Sequence, residues 1–317
     1  MTAQSILIGI SACVLGEQVR FDGGHKRNAF VNDELASFAQ FLPICPEVAI
    51  GMPIPRKAIR LIQDEERVAL VETKDESQDY TDTMNQFSKD KALELTSLPL
   101  CGYVVCAKSP TCGMERVKVY RQNFAEKDGV GLYTRQLQEQ LPWLPIEEDG
   151  RLHDDVLREN FVTRVFSLHD LYESLGDNPT VKDVVNFHSR YKLMLMAHHP
   201  QSYRSLGRMV ANIKNYDLGE FIEEYRLGLM NALSHRASRK NNTNVLMHFQ
   251  GYFKRDLSKT QKAELTQVIH DYRKGVLPLL APVTLIKHYL TMYPDEYLSQ
   301  QRYLEPYPQE LKLRYGL

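Results

Sequence analysis

Three cysteines sit where buried strands would end. Cys13 follows the apolar run ILIGISA and precedes Gly16, Cys45 follows FLPI, and Cys112 comes just past GYVVCAKSP. Loops beyond the carboxyl ends of neighbouring strands in an open α/β sheet converge on one crevice, so thiolates far apart in sequence can meet there. Three soft ligands with no evident fourth suit a cubane iron–sulfur cluster that leaves one iron open, whereas structural zinc usually takes four protein ligands with a close cysteine pair. Cys101 and Cys106 supply no such pair, and Cys106 reads as a packed thiol inside a strand. The ligand run of a typical ferredoxin is absent. Taken alone, these residues leave three readings open: a cluster, a zinc site, or unrelated buried or reactive thiols.

The elements around these cysteines are readable from the pattern. ILIGISA (6–12), FLPICP (41–46), VALVET (68–73) and GYVVCAK (102–108) are expected strands, and NDELASFAQF and TDTMNQFSKDKALELTSL are expected helices. Apolar runs without clean alternation suit strands buried on both faces. The first part is therefore expected to be an α/β domain with a doubly wound, mostly parallel sheet over residues 1–150. The Pro- and Gly-bearing segment LPWLPIEEDGRLHD reads as its exit. Beyond it, apolar residues recur at three- and four-residue intervals, which predicts an all-α domain of five to seven helices over 151–317.

Charge divides the same way. The net charge is −6 up to Gly150 and +5 beyond it; all five cysteines lie before this point and nine of ten histidines after it. Basic residues cluster at Arg204/Arg208, Arg236/Arg239/Lys240 and Lys254/Arg255, with Tyr203, Tyr216, Phe249, Tyr252 and Phe253 nearby. Cations neutralise phosphates and aromatic rings stack on opened bases, so these residues are candidate RNA contacts, the stretch 235–242 first among them. The histidines show no i,i+4 metal pair and read as satisfied surface or core residues. No 18-residue apolar run exists to span a bilayer. Five cysteines in a chain this long do not make a secreted disulfide scaffold, so a cytoplasmic, reducing setting is expected. A monomer is the simplest expectation, since nothing in the sequence fixes the oligomeric state.

SACVLGEQVRFDGG (11–24), CPEVAIGMPIPR (45–56) and SPTCG (109–113) together resemble the hallmarks of the bacterial thiouracil desulfidase family. The resemblance implies a [4Fe-4S] cluster held by Cys13, Cys45 and Cys112 with one open iron, Glu47 as catalytic acid or base, and Ser109 as catalytic serine. Thr111 stands where a serine is common in that family, a departure that keeps a hydroxyl. NFVTRVFS (160–167), FHSRYKLMLMAHHPQSYRSLG (187–207) and LAPVTLIKHY (280–289) resemble the helical, YbgA-type domain of long-unknown function that accompanies this module. Two-domain proteins of this build are similar to a desulfidase that converts 4-thiouridine in transfer RNA to uridine, releasing sulfide without net electron transfer. Water would attack the ring carbon while the open iron polarises the thiocarbonyl, Glu47 and Ser109 moving the protons. Two alternatives accompany this expectation: a desulfidase of free thiolated pyrimidines, and a non-catalytic iron–sulfur sensor that binds RNA. Arg56 is read as a phosphate contact or a surface residue.

Overall fold

The computed structural model describes residues 5–64, 67–122 and 124–314. The chain divides into two compact units, one ending at Leu157 and the other beginning at Arg158. The first unit contains the described strands β1 (Ile6–Ser11), β2 (Ala39–Ile44), β3 (Ile59–Asp64), β4 (Arg67–Glu72), β5 (Leu100–Val105), β6 (Val117–Arg121), β7 (Phe124–Gly129) and β8 (Ile146–Glu148). Its described α-helices are α1 (Ala12–Leu15), α2 (Pro46–Ala49), α3 (Thr81–Thr96) and α4 (Leu132–Gln140).

One sheet has the order β2-β1-β5-β8 and is parallel throughout. Its middle strands explain the unbroken apolar runs: all six residues of β5 and five of the six in β1 are buried. A second sheet has the order β4-β3-β6-β7, in which β3 pairs parallel with β6 while both outer pairings are antiparallel. Local patterning does not separate these two sheets. VALVET becomes β4 of the second sheet, its core built from Leu61, Leu70, Val117 and Val119 against Met84 of α3 and Leu132 of α4. In α3, Met84, Ser88, Ala92 and Leu95 are buried at helical spacing, so one stripe faces inward as the periodicity predicts. The helix expected over NDELASFAQF forms only short turns across Phe30–Glu34 and Leu35–Ser37. Its last three residues, Ala39 to Phe41, are taken into β2, where they pair with β1. What remains is too short to propagate a helix.

The second unit is all-α among its described residues. Its helices are α5 (Asp155–Leu175), α6 (Val181–His198), α7 (Pro200–Ala211), α8 (Leu218–Ser234), α9 (Arg239–Tyr252), α10 (Lys259–Lys274), α11 (Leu280–Met292) and the single turn α12 (Glu296–Ser299). Capping fixes several starts. Thr180 with Asp183 and Ser258 with Gln261 form capping boxes at α6 and α10. The apolar run 281–301 does not make one helix, because Pro294 interrupts it and Asp295 then caps Leu298 N at 2.8 Å. Aromatic packing fills the interior: Phe187 stacks on Tyr191 at 4.2 Å and meets Tyr225 edge-on at 6.2 Å. No described helix is long and apolar enough to cross a membrane.

Candidate functional site

The four parallel strands of the first sheet each hand over to a chemically active residue at their carboxyl ends. β1 is followed by Cys13 in α1, β2 by Cys45, β5 by Cys106 and β8 by Asp149. The connection from β1 runs to β2 on one side of the sheet and that from β5 runs to β8 on the other, so a crevice opens between β1 and β5. Here the crevice is a cavity of about 450 Å³ walled by Cys13, Cys45, Cys106 and Cys112 with Glu47, Ser109, Thr111, Arg56, Lys26 and Lys108. Gly16 ends α1 at φ 110°, a left-handed turn that favours glycine. The loop it starts returns so that Lys26 N bonds Cys13 O at 2.8 Å.

Glu47 is the best-held group on this wall. Pro46 opens α2 at its first position, and Glu47 follows it in the first turn. Arg56 Nε donates to Glu47 Oε2 at 2.8 Å and Arg56 Nη2 donates to the same oxygen. The side chains are 3% (Arg56) and 13% (Glu47) exposed, so Arg56 is not a surface residue. Thr111 Oγ1 donates to the other carboxylate oxygen, Oε1, at 2.9 Å, and Ser109 Oγ lies 2.9 Å from Thr111 Oγ1. Ser109 Oγ in turn accepts from Thr111 N at 3.2 Å and Cys112 N at 3.1 Å. The result is a continuous line from Ser109 through Thr111 to Glu47 and Arg56. Thr111 is its central link.

The turn bearing Ser109–Cys112 is clamped by α4. Leu132 N bonds Pro110 O at 3.2 Å, Tyr133 N bonds Thr111 O at 3.0 Å, and Thr134 Oγ1 donates to Cys112 O at 2.7 Å. The two backbone N–H groups are N-terminal donors that a helix leaves unpaired, spent here on the site turn. Gly131 permits the approach: a Cβ there would stand 2.5 Å from the carbonyl of Thr111. Buried Asp149, which is not part of the wall, accepts from Ala107 N at 2.7 Å and pairs with Lys26 Nζ at 2.9 Å. It thereby holds the turn that carries Cys106.

The thiols do not form the expected ligand set. Cys13, Cys45 and Cys112 all line the crevice, but among the described residues no three of His, Cys, Asp or Glu stand as a group able to hold a metal ion. Burial pushes the Cys112 thiol up to about 12 and raises Cys45, and Cys13 is raised by donating its proton to Cys106. Cys106 is lowered by that same hydrogen bond, with Lys26 adding to the effect. The lack of a group able to hold a metal ion among the described residues is what overturns the expected ligand set. The expectation of a [4Fe-4S] cluster with an open iron is therefore corrected. With it fall the iron–sulfur desulfidase of 4-thiouridine in transfer RNA, its free-base alternative and the iron–sulfur sensor. Cys106 ends a strand instead of packing within one, since β5 stops at Val105.

In the second unit Arg204 and Arg208 are exposed one turn apart on α7, and Arg236, Lys240, Lys254 and Arg255 are exposed around α9. Arg239 is engaged. Its guanidinium donates to Tyr272 O at 2.5 Å and lies 4.7 Å over the Tyr272 ring, tying α9 to α10. His198 and His199 are satisfied, through His235 O at 2.7 Å and Ser202 Oγ at 2.7 Å respectively.

Sequence reasoning read Cys106 as a packed thiol, Arg56 as a phosphate contact or a surface residue and Thr111 as a serine replacement that keeps a hydroxyl, and it did not single out Asp149. The rule that the residue just past each strand faces the crevice would have found Cys106, provided the strand ends were known. Comparison with known proteins divides along the chain. The family model for 2-thiouracil desulfurase matches residues 8–149, and that for a protein of unknown function, DUF1722, matches residues 192–308. A solved structure titled as the [4Fe-4S]-dependent thiouracil desulfidase TudS is 24% identical and aligns with 48% of this chain and 95% of its own, at a TM-score of 0.38. The uncharacterized protein YbgA of Escherichia coli (strain K12) is 41% identical over 159 residues, which is 50% of this chain and 94% of that protein. On that likeness, which spans nearly the whole of its relative, the chain belongs to the family of YbgA.

Proposed function

We propose that the crevice of the first unit binds a small pyrimidine-type ring, thiolated pyrimidines included, and that Glu47 exchanges protons with it. The observation that carries this reading is the line Ser109–Thr111–Glu47–Arg56 on the crevice wall. Arg56 engages one carboxylate oxygen, leaving Oε1 with Thr111 as its hydrogen-bond donor and room for a second partner such as a ring N–H. If Oε1 takes a proton, Thr111 and Ser109 can turn their hydroxyls to follow it, while the backbone donors keep the Ser109 oxygen in place. Lys26 and Lys108 on the wall suit an exocyclic oxygen or sulfur that gains negative charge when the ring is deprotonated. The pyrimidine class is supported by the 2-thiouracil desulfurase model over residues 8–149.

The test is to locate the ligand. Iodoacetamide labelling of the full chain, mapped by mass spectrometry, is expected to slow at Cys106 when 2-thiouracil is present and to stay unchanged at Cys101. Equal labelling of Cys106 with and without the ligand would place the ring elsewhere and end this reading. For the second unit we propose transfer RNA as a partner, supported by the exposed cations Arg204, Arg208, Arg236, Lys240, Lys254 and Arg255.

A further inference from the structure

A separate cavity of about 420 Å³ lies within the second unit, and its wall collects positive charge. Arg190 of α6, Lys287 of α11 and Arg302 after α12 all line it, against the single acid Glu305. The two guanidiniums share one carboxylate that is not part of the wall. Arg302 Nε and Nη2 each donate to Asp170 at 3.0 Å, one to each oxygen, and Arg190 donates to Asp170 Oδ1 at 3.3 Å and to Ser174 Oγ at 2.6 Å. Asp170 is 16% exposed, so it braces both arginines from behind and neutralises only one of them. Arg302 Nη1 takes no part in those bonds and retains two N–H donors. Lys287 is paired with the exposed Glu305. Two planar forks held at fixed angles, with an ammonium beside them, form a preorganised receptor for a tetrahedral oxyanion.

We propose that this cavity binds a phosphate group. The site lies wholly in the second unit and stands or falls independently of the pyrimidine reading. Two sources share that chemistry: a free phosphate or phosphate monoester, and a phosphodiester of a nucleic-acid backbone. The arginines also support the fold through Asp170, so the diagnostic changes are Gln300→Glu, which adds a negative charge to the wall at an exposed position, and Lys287→Gln. Calorimetric titration of the full chain with inorganic phosphate, uridine 5′-monophosphate and a single-stranded RNA lacking terminal phosphates tests the proposal. At least one probe is expected to bind saturably, with affinity about tenfold weaker in Gln300→Glu and reduced in Lys287→Gln, while the near-ultraviolet circular dichroism is unchanged. Binding of the two small probes alone assigns a phosphate monoester or free phosphate, and binding of the RNA assigns a backbone phosphate. No saturable binding of any probe, or affinities untouched by both variants, would overturn the proposal and leave the arginines as a structural ion-pair network.

Discussion

Arg56 illustrates how much a residue's meaning depends on what it faces. In sequence it follows PIP and reads as a phosphate contact or a surface residue. In the fold its side chain is 3% exposed and its guanidinium closes on Glu47. Breaking a buried pair leaves the partner charge without compensation, at a cost of about 3–5 kcal/mol. Arg56→Ala is therefore expected to destabilise the first unit by that order in urea unfolding, and Arg56→Lys to recover only part of it because the two-nitrogen contact is lost. A destabilisation below about 1 kcal/mol, the range of exposed pairs, would contradict the buried geometry. His188 carries a second residue-scale prediction. It is 2% exposed, its Nδ1 lies 3.0 Å from Tyr225 OH, and burial pushes its pKa down to about 4. Between about pH 6.5 and about pH 4 the unfolded chain binds a proton that the folded one refuses, so stability is full above this window and falls as pH drops through it. The loss from this residue is about 3 kcal/mol by pH 4. Urea titrations at a series of pH values are expected to show a shallower slope in His188→Gln than in the wild type; parallel slopes would mean that His188 titrates normally.

At the level of elements, the site depends on α4 reaching the turn that bears Thr111. Gly131 makes this possible, since a methyl group there would strike the Thr111 carbonyl at 2.5 Å. Gly131→Ala is expected to cost about 1–3 kcal/mol, the range for overpacking, and to impair ligand binding because the turn must shift. Unchanged stability together with unchanged binding would show that the contact is not tight. Much of this layer is legible in the sequence: the strands after which Cys13 and Cys45 follow, the inward stripe of α3, and the helical periodicity of the second unit. What is not legible depends on tertiary context. The boundary that puts Cys106 outside β5 is one residue away from the opposite reading. The sheet formed by β3, β4, β6 and β7 arises from long-range pairing that no local pattern encodes.

For the whole molecule, the change of texture near residue 150 is written in the sequence itself, in charge and in the placement of cysteine and histidine. The ligand geometry is not. Topology does bring the strand-end cysteines to one crevice, but neighbouring strands stand about 4.8 Å apart, so thiols leaving different strands spread along a wall and need not meet at a point. Spacing in sequence cannot distinguish those outcomes. The wall instead centres on a carboxylate fixed from both sides, by Arg56 and by Thr111. The central claim is that this carboxylate meets the ligand, and calorimetric titration of 2-thiouracil into the full chain tests it most directly. Glu47→Gln keeps the shape but removes a charged acceptor worth about 1.5–3 kcal/mol, so affinity is expected to fall by about tenfold to a hundredfold, with the melting profile recorded alongside to register the altered Arg56 contact. Wild-type affinity in a folded Glu47→Gln variant would contradict the account.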